Sequence, residues 1–173
     1  MKYQNSAGAV QAPDDTDDIA AGLRLSDANI NPATGLATDY LNRFSEAIML
    51  LDMLATCPEF RADFLAWKPM SYREHFHASR FKTRDLAIAA YDTADPNVRN
   101  NLDTLAVTMT IVLEATRAAM DSDRPLETIA ALAENATGWL KPLIARAGAV
   151  INGEADMTDA PSPQAIVDQL MKR

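Results

Sequence analysis

A chain of 173 residues with a formal net charge of -8, 48% hydrophobic and 23% charged residues is sized and composed for one globular domain. Its acidic balance argues against nucleic-acid binding, because affinity for phosphate backbones comes from excess basic charge. No apolar run reaches the roughly 20 residues of a membrane span, the segment MKYQNSAGAVQAP lacks the apolar core of a secretory signal, and a single cysteine excludes an internal disulfide framework and suits a reducing cytosol.

Residues 1–33 are expected to be disordered or loosely attached, since Asp14, Asp15, Asp17 and Asp18 repel one another and apolar residues are sparse. Leu23, Leu25 and Ile30 are the residues that could lie across the domain as an extended strap. The turn Asn31-Pro32-Ala33-Thr34-Gly35 announces a first long helix from about Leu36 to Thr56. Leu41, Phe44, Ile48, Leu51 and Ala55 recur there at spacings of 3 and 4, one apolar stripe. Asn42, Glu46, Met49 and Met53 fall on the opposite side. The methionines on that back face predict a helix covered on both sides, the central one of the domain.

Cys57-Pro58 ends this helix, because proline disfavours helix at the residue before it. Pro58 then suits the first position of a short helix to Trp67. Lys68-Pro69 breaks the chain again, and Ser71 starts a second short helix to about Ser79. Thr83 or Asp85 starts a third, with Leu86, Ile88, Ala89 and Tyr91. Asp95-Pro96 pairs an N-cap with proline at the first helical position. From there to Met120 runs the clearest helix, its stripe made by Val98, Leu102, Leu105, Met109, Val112, Thr116 and Ala119. Val107, Ile111 and Ala118 give it a secondary apolar patch. After the turn Asp121–Pro125, a last long helix reaches about Val150, with Pro142 in its interior expected to kink it. Asn152-Gly153 closes the bundle. An acidic linker follows, then a short amphipathic helix with Ile166, Val167, Leu170 and Met171.

The pattern predicts an all-α fold: a bundle of three long helices and several short ones, with flexible acidic termini. Residues 34–153 form the bundle, and residues 154–173 the linker and C-terminal helix.

Four constellations bear on chemistry. Glu74-x-x-His77 has the spacing of carboxylate-bridged di-iron bundles, and Glu46 and Glu114 on the long helices complete a candidate set for iron or another divalent metal. Against it, Ser71-x-x-Glu74 is a capping box, which would commit the Glu74 carboxylate to the helix start. Cys57-Pro58 resembles the Cys-Pro motif of haem-responsive regulators; a lone cysteine in a bundle is otherwise a small buried hydrophobe. Arg73, His77, Arg80, Lys82 and Arg84 form a basic patch in an acidic protein, suited to a phosphate, a carboxylate or an acidic partner surface. Tyr72, His75 and Phe76 would turn inward on the same helix. The C-terminal helix would dock either on its own bundle or in a partner's groove.

No Gly-rich phosphate loop, nucleophile elbow, zinc cluster or dinucleotide fingerprint is present, which points away from the common enzyme classes. The segments NPATGLATDYLNRFSEAIMLLDML and SYREHFHASRF resemble a group of small bacterial helical proteins of unassigned function. That resemblance implies a bacterial, cytoplasmic setting and no catalytic residue. The expectation is a non-catalytic regulatory or adaptor module. Its basic patch would dock an acidic protein partner or a small anion, with no cofactor and no membrane. A metal- or cofactor-binding bundle is the alternative, and pairing of two copies is left open.

Overall fold

The computed structural model describes residues 15–54, 56–120 and 123–154. Among these the fold is all-α, with seven α-helices and one 3-10 turn. They are α1 (Asp15–Asp27), a 3-10 turn (Thr38–Leu41), α2 (Asn42–Leu54), α3 (Phe60–Ala66), α4 (Tyr72–Ala78), α5 (Arg84–Thr93), α6 (Pro96–Met120) and α7 (Leu126–Asn152). None is long and apolar enough to cross a membrane.

The bundle is centred on α7, which packs against both α2 and α6. Its stripe of Ile129, Ala133, Ala136, Leu140, Leu143, Ala147 and Ile151 is buried, and the alanines let neighbouring backbones come close. The expected central helix, α2, is instead peripheral. Its back face is open, with Asn42 and Glu46 exposed and Met49 52% exposed. α3 bridges α2 and α6. Pro142 lies on the exposed side of α7, and the helix continues through it to Gly153, whose φ of 73° gives the left-handed stop that glycine favours.

The first predicted long helix is shorter at its start. Ala37 is extended (φ -110°, ψ 133°) and forms an isolated antiparallel bridge with Ile30. Its amide donates to the Tyr72 hydroxyl at 3.0 Å. With that backbone recruited by neighbours, helix begins only with the 3-10 turn. The preceding turn is pinned from the other end of the chain, as the Thr34 hydroxyl donates to the Ile151 carbonyl at 2.6 Å. Gly35 has a φ of 69°, and a Cβ there would sit 2.8 Å from the Ala90 carbonyl oxygen, so only glycine fits.

Residues 28–33 are therefore part of the domain, not the loose segment expected. Ala28 and Ile30 are 3% and 1% exposed. α1 ends at Asp27; Asn29, two residues on, is in the left-handed region with φ 54°, and the Ile30 amide returns to the Leu25 carbonyl at 2.9 Å. Leu23 does not join a strap and is 61% exposed. Residues 1–14 and the expected C-terminal helix lie outside the described residues.

Candidate functional site

α4 is a short helix with a strong start. Ser71 caps it: the Glu74 amide donates to the Ser71 hydroxyl at 3.3 Å, and the Ser71 amide donates to the Glu74 carboxylate at 2.8 Å. This is the capping box read from the sequence. The hydrogen bonds from the Ser71 backbone and then its hydroxyl favour the charged form and hold Glu74 below the usual carboxylate range. Tyr72 and Phe76, one turn apart, are buried at 2% and 0% exposure. They carry α4 onto an aromatic cluster, where Tyr72 stacks on Tyr91 of α5 with ring centres 4.4 Å apart and 15° between planes.

Three tyrosines from three elements meet here, each with its hydroxyl committed. Tyr40 donates to the Met70 carbonyl at 3.1 Å. Tyr72 accepts from Ala37. Tyr91 donates to the two Asp103 carboxylate oxygens at 2.7 and 2.9 Å, tying α5 to α6. Burial raises all three hydroxyl pKa values. For Tyr91, burial and then the Asp103 hydrogen bond push it up to about 12. His75 is half-buried, its ring meeting Tyr40 and Phe76 edge-on at 5.8 and 5.0 Å. Burial, then the positive charge of Arg43, holds it below the ordinary histidine value.

Beside the tyrosines a groove of about 610 Å3 opens between the start of α4 and α6. One wall is Pro69, Met70, Ser71 and Glu74; the other is a stripe of α6, Asp103, Ala106, Val107, Thr110, Ile111 and Glu114, at helical spacing. Tyr40, Tyr72 and Tyr91 form the floor. Val107 is 54% and Ile111 36% exposed. The secondary apolar patch of the sequence is thus an uncovered face of α6. No Lys, Arg or His is among the residues lining the groove, whereas Glu74, Asp103 and Glu114 all are.

The 67–70 wall is fixed by arginines that donate to backbone carbonyls. Arg43 of α2 donates through Nε and Nη2 to the Lys68 carbonyl at 3.0 and 2.5 Å, and its guanidinium lies 5.7 Å from the Trp67 ring centre. Arg117 of α6 donates to the Trp67 carbonyl at 2.9 Å. The Trp67 indole in turn donates to the Arg43 carbonyl at 3.2 Å.

The basic patch is only partly assembled. Arg73 is spent on an ion pair with Asp92 of α5 at 2.5 Å. Arg84 lies 3.7 Å from its neighbour Asp85. His77, Arg80 and Lys82 are exposed along the end of α4 and the turn after it. The four candidate metal ligands do not form a site: among the described residues no three His, Cys, Asp or Glu side chains are grouped to hold a metal ion. Glu74 is committed to the cap, Glu114 lies 3.9 Å from Arg117, and Glu46 is on the open side of α2. Cys57 is half-buried in the turn after α2, its amide donating to the Met53 carbonyl at 2.9 Å.

No protein-family model, curated protein or solved structure matches this chain.

Proposed function

We propose that the protein is a non-catalytic binding module that seats a basic amphipathic helix of a protein partner in the groove between α4 and α6. The observation that carries this reading is the exposed Val107–Ile111 stripe, flanked by Glu74, Asp103 and Glu114 with no cation among the lining residues. An apolar helix face laid along α6 would remove those aliphatic side chains from water, at about 25 cal/mol per Å2 of apolar surface. Lysines or arginines bordering that face would meet the carboxylates, setting orientation and speeding encounter at low salt.

The test is fluorescence polarisation with a labelled 18-residue Leu/Lys amphipathic peptide. Val107→Asp with Ile111→Asp is expected to weaken binding at least tenfold while leaving the thermal midpoint nearly unchanged, since both side chains are exposed. Glu74→Gln with Glu114→Gln should flatten the salt dependence of binding. Unchanged affinity in the Asp variants would sink the groove as the site.

A second reading keeps the basic strip as the dock for an acidic partner or small anion. It is supported by the exposure of His77, Arg80 and Lys82 on a chain of net charge -8. Here retention on a polyglutamate surface should fall in Arg80→Ala with Lys82→Ala; equal retention would count against it.

A further inference from the structure

We infer that the cleft between α1 and α5 is a binding site for a small monocarboxylate with an aliphatic body. The cleft shares no lining residue with the groove between α4 and α6, and the inference does not depend on the reading of that groove.

The first argument is shape. The cleft has a volume of about 450 Å3, within the range of about 300–1,000 Å3 found for small-molecule sites. Its floor is where the 32–35 turn meets α5. A Cβ on Gly35 would lie 2.8 Å from the Ala90 carbonyl oxygen, so backbone meets backbone there. The floor is firm, because the Thr34 hydroxyl fastens the turn to the Ile151 carbonyl at the end of α7. Leu25 of α1 lines one side, and Leu86 and Ala94, at the two ends of α5, line the other. All three are only partly buried. An aliphatic chain lying between them would take their remaining apolar surface out of water.

The second argument is which polar groups are left to receive a ligand. The Thr34 and Gly35 amides donate to the Asn31 carbonyl at 3.3 and 2.8 Å, and the Ala33 amide donates to the Asn31 side chain at 2.8 Å. These committed amides cannot form the cradle that a phosphate group needs. The Thr93 hydroxyl donates back into α5, to the Ala89 and Ala90 carbonyls. The Asp95 carboxylate accepts from the Asn97 and Val98 amides at 2.8 and 3.3 Å, and the positive end of α6 offsets its charge. That leaves Arg24, the one cation among the lining residues. It is exposed, and among the described residues it forms no ion pair. A guanidinium takes a carboxylate through two parallel hydrogen bonds. The cleft therefore matches a ligand with one anionic head, held at Arg24, and a chain laid against Leu25, Leu86 and Ala94.

The experiment titrates the full chain with sodium hexanoate, octanoate and decanoate, each below its micelle concentration, and follows the Leu25, Leu86, Val107 and Ile111 methyl groups by NMR. The expected result is saturable shifts of the Leu25 and Leu86 signals, with Val107 and Ile111 unmoved. Affinity should rise along the series by up to about fourfold per added methylene. Arg24→Gln should weaken decanoate about tenfold, through loss of a charge-assisted pair. Decylammonium, with the same chain and the opposite charge, should bind at least about tenfold less tightly than decanoate. Ala89→Trp, an exposed position on the cleft wall, should fill the space and abolish the shifts while the helical circular-dichroism spectrum is kept. Absence of saturable shifts in the wild type overturns the inference, and so do equal shifts at Val107 and Ile111, which would mark general adsorption to apolar surface. Equal affinity for decylammonium, or unchanged decanoate affinity in Arg24→Gln or Ala89→Trp, overturns it as well.

Discussion

Two faces of α6 point in different directions and have opposite fates. Leu102, Leu105, Met109, Val112 and Leu113 are between 0% and 4% exposed, sealed in the core beside α7. Val107 and Ile111 are no less apolar, yet they stand open across the groove from α4. The difference lies in what reaches each face. α7 packs along α6, whereas α4 and α5 pair with each other, and α5 is tied to α6 by the Tyr91–Asp103 hydrogen bonds near the start of that helix. Beyond that tie, the wall stands off and the stripe is left free. The same residue types thus serve stability on one face and, in the proposed reading, would serve recognition on the other.

The sharpest way to break this contrast is a matched pair of truncations, read by urea denaturation. Leu113→Ala should cost about 2–5 kcal/mol, since the side chain is fully buried and leaves a cavity. Ile111→Ala should stay within about 0.5 kcal/mol. Comparable losses would mean that the groove face is part of the core. An intermediate effect is expected at the floor between the two. Tyr72→Phe removes the acceptor of the Ala37 amide, and a buried donor left unsatisfied costs about 1–3 kcal/mol. An unchanged midpoint would show that the floor is wet. The smallest effect is a pH slope. Burial depresses the His75 pKa, so below about pH 6.5 the unfolded chain takes up a proton more readily than the folded one. The stability it contributes is full above that pH and is lost as pH falls through the folded value. His75→Gln should flatten the slope on the acid side of 6.5; an identical slope in the variant would assign it to other groups.

Local chemistry made much of the fold readable. Ser71 and Glu74 specify a helix start within four residues, and the structure has the capping box they encode. Asp95 and Pro96 do the same for α6, where the Asp95 carboxylate accepts from the Asn97 amide at 2.8 Å. The stripe on α6 was visible as periodicity, and so was the Val107–Ile111 patch. Periodicity does not say which patch finds a cover. The groove depends on Tyr40, Tyr72 and Tyr91 converging from three elements, and on Arg73 reaching Asp92 across two helices. Those meetings are long-range, and nothing in the local spacing encodes them. Arg73 looked like one of five cations of a basic face for that reason. The helix containing Met49 and Met53 looked doubly covered because methionine is apolar; its exposure shows that an apolar back face can also be left uncovered.

The arginines on the Trp67 and Lys68 carbonyls carry a thermodynamic consequence. Irregular backbone beside a binding site is usually where conformational freedom is lost on association, and that loss subtracts directly from affinity. Here Arg43 and Arg117 hold two consecutive carbonyls from opposite sides, so the wall that Pro69 and Met70 present is preorganised before anything enters. In the proposed reading, the entropy of ordering would fall on the incoming helix alone. Affinity for such a helix would then be governed by how helical the ligand already is in water, a property of the ligand rather than of the protein that receives it.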